Sequence, residues 1–104
     1  ETIVLVEGQG DVWRLWEAGI KNAVGMFGCH LTDYQQISIE RSGALNIVVL
    51  TDNDEPGRKA ADSIEEKCGR LFNLHFPKLD KKDVGDMSVV DINENLKPQI
   101  NGMV

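Results

Sequence analysis

Short apolar runs alternate with polar segments along most of the chain. Residues 2–6 and 46–51 are mostly apolar and rich in β-branched side chains, which is typical of strands buried on both faces. Weaker runs at residues 22–28 and 70–76 predict two more strands, and Pro77 ends the second of them. Because these runs alternate with helical segments, we expect an α/β domain with a central, mainly parallel four-stranded sheet and helices on both faces.

The segments between the strands have the spacing of amphipathic helices. The first is expected to be capped by Asp11. Its inward stripe is predicted to consist of Val12, Leu15, Trp16 and Ile20. The second covers residues 33–41, behind a capping box of Thr32 and Gln35. Its apolar face is thin, and Tyr34 on that face is expected to be half-buried.

The last two helices begin at clear start signals. Pro56 suits the first helical position, and Gly69 stops that helix after a run of mostly small inward residues. Those inward residues are Gly57, Ala60, Ala61, Ile64 and Cys68. Ser88 opens the final helix, which Pro98 is expected to break. No internal repeat or linker interrupts the pattern, so we expect residues 1–104 to form a single domain.

Composition places the chain among ordinary globular proteins. Apolar residues make up 41% of its 104 residues and charged residues 27%. No apolar run approaches the roughly 20 residues that span a bilayer, and no signal peptide is visible. We therefore expect a cytoplasmic protein with no membrane partner. The chain lacks an initiator Met and opens at once into a strand, so we also expect it to be a domain excised from a longer protein.

Neither a zinc site nor a basic nucleic-acid surface is indicated. Cys29 and Cys68 lack metal-ligand spacing, so we expect free buried thiols and no zinc in this segment. The net charge of −6 argues against binding nucleic acid through a broad basic face. An interaction with nucleic acid must therefore depend on bound cations or on another part of a longer protein.

Carboxylates follow the two best-defined strands directly. Glu7 comes after the first predicted strand, and Asp52 and Asp54 come after the third. We expect the strand order 2-1-3-4, in which those strand ends are neighbours, and ligands of open parallel sheets bind in the crevice beyond them. The acids on further loops at the same edge are Asp11, Asp83 and Asp86.

This group of acids predicts a divalent cation site. Asp52 and Asp54 repel each other when placed side by side, so a purely structural arrangement would avoid them. Hard oxygen ligands suit one or two Mg²⁺ or Mn²⁺ ions. A single acid after a strand is more often a helix cap, which is the commoner role for Asp11 taken alone. Glu-Gly after one strand combined with Asp-x-Asp after another is a more specific signal for a metal site than either motif alone.

Those two motifs resemble the Toprim domain, a family shared by primases, topoisomerases, RecR-like repair proteins and some nucleases. The matching residues are Val6-Glu7-Gly8 and Asp52-Asn53-Asp54, and the likeness covers about residues 3–87. Within the family the chain looks most like bacterial and phage (DnaG-like) primases. The stretches that carry this likeness are Glu7-Gly8-Gln9-Gly10-Asp11-Val12, Ala18-Gly19-Ile20, Asn22-Ala23-Val24, residues 52–61 and Lys82-Asp83 with Asp86.

The resemblance implies a metal-binding catalytic domain of a DNA primase, which makes RNA primers on single-stranded DNA with Mg²⁺ or Mn²⁺. It implies Glu7, Asp52 and Asp54 as catalytic metal ligands, assisted by Asp11 and Asp83. Asp86 stands three positions after Asp83 rather than the family's two and is the less secure ligand. Single-stranded template, ribonucleoside triphosphates and a replicative helicase, fused or separate, are the partners implied for the full-length protein.

Other functions remain open from the sequence. Arg58, Lys59 and Lys82 are candidates to bind phosphates, although solvated surface is the commoner role for such side chains. A metal-dependent nuclease or repair protein of the same family would use the same acids on phosphodiesters, with Glu7 as general acid or base. A noncatalytic module would use them only to hold a structural ion or recruit a partner. The isolated domain is expected to bind metal but to make little or no primer.

Overall fold

The strands and helices alternate along the chain as the sequence predicts. The computed structural model describes residues 2–28 and 30–103. The strands are β1 (Thr2–Val6), β2 (Ala23–Gly25), β3 (Asn46–Leu50) and β4 (Asn73–His75). The helices between them are α1 (Gln9–Glu17), α2 (Asp33–Arg41) and α3 (Glu55–Cys68). After β4 come a 3₁₀ turn (Val84–Asp86), α4 (Val89–Asp91), a π-helical segment (Ile92–Leu96) and α5 (Lys97–Met103).

All strand pairs in the sheet are parallel, and their order is β2-β1-β3-β4. This confirms the predicted α/β fold and the sheet order 2-1-3-4. The order places β1 and β3 at the centre, where both faces are covered and continuously apolar sequences are favoured. No helix in the described ranges is long and apolar enough to cross a membrane.

Two hydrophobic cores fill the spaces above and below the sheet. Because side chains alternate along a strand, Val4 and Val6 enter one core and Leu5 enters the other. The first core packs the sheet against α1 and the C-terminal helices, and includes Leu15, Val48, Leu50, Ile92 and Leu96. The second packs it against α2 and α3, and includes Ile39, Ile47, Val49, Ala60, Ile64 and Cys68. Helices therefore cover both faces, and the inward face predicted for α3 is confirmed.

The two edge strands are shorter than predicted. Phe27 has a φ of 59°, a left-handed conformation that ends the extended segment after Gly25, although Met26 still donates to Val6 of β1 at 2.8 Å. Before β4, the amides of Leu71 and Phe72 both donate to the carbonyl of Cys68 at 3.1 Å. Residues 70–72 therefore complete the turn after α3 instead of joining the strand. Cys68 is buried as expected, and Cys29 lies outside the described residues.

Two aromatic residues predicted to pack inward are exposed, and those predictions were wrong. Trp16 is 52% exposed, because Leu15 and Ala18 fill the space between α1 and the sheet. Its ring instead lies beneath the ammonium of Lys21, 5.3 Å from the ring centroid. Tyr34 is 80% exposed, because the one buried residue of α2 is Ile39. Both helices present narrower apolar stripes than their spacing alone predicts.

The helix at the C-terminal end continues past Pro98, which contradicts the predicted break. A proline inside an α-helix lacks its amide donor and its ring collides with the carbonyl four residues earlier. Here the π-helical segment Ile92–Leu96 directly precedes α5, where Pro98 is the second residue. The wider π turn is a common way of inserting such an interruption into a continuing helix. The helix then keeps Leu96 and Ile100 in the first core.

Candidate metal centre

The candidate site lies where β1 and β3 end side by side. The two strands pair in register, with Val6 opposite Leu50. Residues that follow them therefore emerge at the same edge of the sheet. Glu7 follows β1, and its Oε2 accepts a hydrogen bond from the backbone amide of Asp52, which comes just after β3. This contact holds the loop between β3 and α3 against the end of β1 and brings both carboxylates into one crevice.

Asp11 is the one charged residue that is buried within the described ranges, with 8% of its surface exposed. It is the third residue of α1, which begins three residues earlier than the predicted cap at Asp11 implied. Its Oδ2 accepts a hydrogen bond from the amide of Gly8 at 3.1 Å, and its Oδ1 accepts one from the amide of Gly85 at 2.9 Å. Asp11 thus caps α1 from within the first turn and also holds the loop around Gly85 at this edge.

Asp83 reaches the same edge from the loop after β4. It precedes the 3₁₀ turn, and its Oδ1 accepts a hydrogen bond from the amide of Asp86 at 2.9 Å. One residue earlier, the carbonyl of Lys82 accepts a hydrogen bond from the amide of Asn53 at 2.5 Å. Backbone contacts therefore set the position of this loop relative to the loop that carries Asp52.

Asp11, Asp52 and Asp83 together form a cluster suited to a metal ion. One carboxylate oxygen from each lies within 4.8 Å of the others. Oxygens that bind one Mg²⁺ at about 2.0–2.1 Å are at most about 4.2 Å apart, so a small inward movement of these side chains would let all three bind one ion. The amides that bind Asp11 leave lone pairs free, since each carboxylate oxygen accepts in two directions. The donor set therefore fits Mg²⁺ or Mn²⁺, which prefer carboxylates and retain water ligands.

Burial and mutual repulsion raise pKa values in this cluster. The pKa of Asp52 rises from its ordinary 3.8 to about 7, first because burial disfavours the charged form and then because other acids surround it. Those acids, in order of effect, are Glu7, Asp11, Asp83 and Asp54. Burial also raises the pKa of Asp11, against the opposing effect of the amides of Gly8 and Gly85. A divalent cation relieves this repulsion, so the electrostatics agree with a metal centre.

Two of the acids singled out from the sequence lie beside the cluster. Asp54 is the N-cap of α3, where its Oδ1 accepts a hydrogen bond from the amide of Gly57 at 2.8 Å. Its Oδ2 lies 4.0 Å from the ammonium of Lys82. Asp86 is exposed, and its negative charge contributes to the raised pKa of Asp11. The cluster around Asp52 thus consists of Asp11 and Asp83, whereas Asp54 caps α3.

The three candidate phosphate-binding residues are exposed, and each has different neighbours. Arg58 lies on the first turns of α3 and contacts Glu55 at 3.3 Å. Lys82 lies nearest the cluster, through its contact with Asp54. Lys59 lines a separate cavity with His30, away from the cluster. Arg58 and Lys82 therefore lie on the loops and helix around the site, and Lys59 does not.

Glycines shape the site in ways that the residue pattern did not single out. A Cβ on Gly57 would lie 1.7 Å from the carbonyl oxygen of Asp52, so the start of α3 can approach the β3 end only with glycine there. Gly85 lies between two carboxylates, and a Cβ on it would be 3.2 Å from oxygens of both Asp11 and Asp83. The Pro-Gly pair after Asp-x-Asp was an available signal for Gly57. Gly85 had none, because its role depends on a contact with a residue far away in the sequence.

Comparison with known proteins agrees with this geometry. Residues 1–75 match the family described as Toprim domain. The chain therefore belongs to the Toprim domain family, which confirms the resemblance read from its two acidic motifs.

The proteins that it is similar to include several DNA primases. The DNA primase of Enterococcus faecalis is 33% identical over 97 residues, which cover 93% of this chain and 14% of that protein. A DNA primase domain from Pseudomonas aeruginosa has a TM-score of 0.79 at 25% identity, covering 99% of this chain and 33% of the other. The Aquifex aeolicus primase, with its zinc-binding and RNA polymerase domains, has a TM-score of 0.69 at 26% identity, covering 98% of this chain and 25% of the other. The chain thus spans a small part of each.

Proposed function

We propose that this chain is the metal-binding catalytic domain of a DNA primase and supports Mg²⁺-dependent nucleotidyl transfer as part of a longer protein. The observation that carries the proposal is the convergence of Asp11, Asp52 and Asp83 at the carboxyl ends of the central strands. The named primases that the chain is similar to over more than nine-tenths of its length support it. The acids alone do not distinguish a primase from a nuclease of the same family, so the similarity to primases decides between these reactions.

Each acid has a role that its contacts suggest. Asp52 and Asp83 would hold the ion through carboxylate oxygens of these half-buried side chains, and Asp11 through the lone pairs that its amide bonds leave free. Glu7 holds the amide of Asp52 and adds a fourth carboxylate beside the ion. Asp54 offers its Oδ2, while its Oδ1 caps α3. When bound, Mg²⁺ or Mn²⁺ supplies a Lewis acid that neutralises charge on phosphoryl oxygens.

Around this centre the chain would bind part of the substrate, namely its phosphates. Arg58 on α3 and Lys82 beside Asp54 would contact phosphate oxygens. Asp86 would act through its charge on Asp11. Because the net charge is −6, we assign the binding of single-stranded DNA template to other parts of the longer protein. Ribonucleoside triphosphates are its proposed substrates, and a replicative helicase, fused or separate, is its proposed partner.

The test uses the longer protein that contains this chain, with single-stranded DNA, four ribonucleotides and Mg²⁺. We expect short RNA products that disappear in Asp52→Asn and persist in Asp80→Asn, an exposed acid of the neighbouring loop. Shortened or nicked DNA without new RNA would instead indicate a nuclease. RNA synthesis at the unsubstituted level in Asp52→Asn combined with Asp54→Asn would indicate a module whose acids play no catalytic part.

A further inference from the structure

A second cavity lies next to the metal centre, at the carboxyl ends of β3 and β4. Its volume is about 360 Å³, which is at the small end of the range for ligand sites in proteins. Asp52 lines one side, so the cavity and the acidic cluster share a wall. Arg58 and Ala61 line the side formed by α3, and Phe76 and Lys78 line the side formed by the segment after β4. Neither the metal ligands nor the helix caps account for this cavity.

The walls of the cavity combine an aromatic ring with cationic side chains. Phe76 is 44% exposed although it is a large apolar residue, and it lines this space. Pro77 and Leu79 continue the apolar wall. Arg58, which also contacts Glu55 at 3.3 Å, adds positive charge from α3, and Lys78 adds it from the segment after β4. A ligand matched to these walls has a flat aromatic group joined to anionic oxygens, which is the chemistry of a nucleotide.

The segment after β4 is held in place before any ligand binds. The amide of Lys78 donates to Oε1 of Gln99 at 2.9 Å, and the carbonyl of Lys78 accepts from Nε2 of Gln99 at 3.0 Å. Gln99 is itself fixed by a bond from Nε2 to the carbonyl of Asn95 at 2.8 Å. Pro77, which precedes this clamp, is buried. The cavity wall is therefore preorganised, which reduces the entropy lost on binding.

The charges around the cavity also set the direction in which a nucleotide would lie. Along α3, an adjoining cavity of about 360 Å³ shares Arg58, Ala61 and Phe76 with this one but is also lined by Asp62 and Glu65. Those acids repel phosphates. A cation held by Asp52 on the other side of the cavity would attract them. The phosphates would therefore point toward the acidic cluster and the base toward Phe76.

We propose that this cavity binds a nucleotide whose base stacks on Phe76 and whose phosphates lie between Arg58, Lys78 and the metal centre. The inference rests on the proposed function, since the cation supplies part of the attraction. Either a free ribonucleoside triphosphate or the terminal nucleotide of a strand has this chemistry. Phe76, Lys78 and Gln99 thereby become the residues that position the substrate, in addition to the acids that hold the ion.

Binding to the 104-residue chain tests the proposal without depending on catalysis. In NMR spectra of the isotope-labelled chain with Mg²⁺, we expect ATP or a short oligoadenylate to shift the ring signals of Phe76 and the amide of Lys78. A response to ATP identifies a free nucleotide as the ligand, and a response to the oligoadenylate alone identifies a strand end. If both ligands leave Phe76 and Lys78 unshifted, the proposal is overturned.

Substitutions separate stacking from general binding. Phe76→Leu keeps an apolar side chain but loses the stacking face, so we expect affinity to fall roughly 5- to 100-fold, in the range found for bases stacked on aromatic residues. Phe76→Trp should bind at least as tightly as the unsubstituted chain. Tyr34→Ala removes a more exposed aromatic residue that lines a different cavity and should change nothing. Equal affinities for Phe76→Leu and Tyr34→Ala would overturn the assignment of Phe76.

Failure of the nucleotide proposal can be distinguished from failure of the proposed metal centre. Mg²⁺ added alone reports on the acidic cluster through the amides of Asp52 and Asp83. If Mg²⁺ shifts those amides and nucleotides then leave Phe76 unaffected, the nucleotide cavity is wrong and the metal centre stands. If Mg²⁺ leaves them unshifted, the proposed function is wrong, whatever Phe76 does.

Discussion

The amide of Gly85 donates a hydrogen bond of 2.9 Å to Oδ1 of Asp11, across a separation of 74 positions in the sequence. The same carboxylate binds the amide of Gly8 at the start of α1. Asp11 therefore joins the loop after β1 to the loop after β4, and both loops carry acids of the metal centre. The centre is assembled by the folded chain itself, with hydrogen bonds that do not require an ion.

Removing the Asp11 carboxylate should destabilise the fold even without metal. Asp11→Ala leaves two amides in a largely buried place without their acceptor, so we expect the free energy of unfolding to fall by about 1–3 kcal/mol. Urea denaturation in the presence of a chelator measures this. Asp33→Ala, which removes an exposed ion pair with Lys67, is the control and should cost no more than about 0.5 kcal/mol. Equal losses in the two variants would contradict the structural role of Asp11.

The raised pKa of Asp52 predicts that the metal-free chain loses stability as pH rises. Between its ordinary pKa of 3.8 and about 7, the folded chain keeps a proton on Asp52 that the unfolded chain releases. The folded state therefore binds more protons over this range, and the free energy of unfolding decreases as pH increases through it. Unfolding measured at a series of pH values, with chelator, should show this decline in the unsubstituted chain and a flatter profile in Asp52→Asn. Parallel profiles would contradict it.

Mg²⁺ should stabilise the chain through the acidic cluster. An ion that binds only the folded state raises the midpoint of thermal unfolding, by an amount that grows with ion concentration relative to its dissociation constant. We expect this rise to be lost in Asp83→Asn and retained in Asp80→Asn, which changes the net charge equally three positions away. A rise of the same size in both variants would indicate charge screening rather than a specific centre.

Gly57 should be intolerant of any side chain. The Cβ of Gly57→Ala would overlap the backbone of Asp52, so α3 must shift, and we expect a loss of about 3 kcal/mol or more. Gly10→Ala is the matched control, because nothing lies within 4 Å of its Cβ and alanine favours helix α1 by up to about 1 kcal/mol. Chemical denaturation of both variants checks this, and a mild effect in Gly57→Ala would show that the close approach is not required.

The parts of the fold that were predictable depend on local sequence. Two apolar β-branched runs identified the central strands, and the expected order 2-1-3-4, which the structure confirms, was enough to place Glu7 and Asp52 together. Trp16 and Tyr34 were predicted to face inward because spacing shows which residues share a helix face. Spacing does not show how much of that face is covered by the element packed against it. Pro98 was misjudged because the π turn before it depends on packing that no local rule describes.

The membership of the acidic cluster was only partly predictable, for a similar reason. Asp54 has both the spacing of a metal ligand and that of a helix cap, and its contact with Gly57 shows the second. Asp83 was expected only to assist, yet its oxygen lies within the same 4.8 Å set as those of Asp11 and Asp52. Its position depends on backbone contacts between distant loops, which a sequence pattern does not reveal.

The most direct test of the central claim is to locate a divalent ion on the chain. Mn²⁺ is paramagnetic and broadens the NMR signals of amides near it, so substoichiometric Mn²⁺ added to the labelled chain maps the bound ion. We predict that the amides of Gly8, Asp52, Asp83 and Gly85 broaden first, and that added Mg²⁺ restores them. Broadening spread over exposed acids such as Glu65 and Glu66, with these four amides unaffected, would contradict a metal centre at the carboxyl ends of β1 and β3.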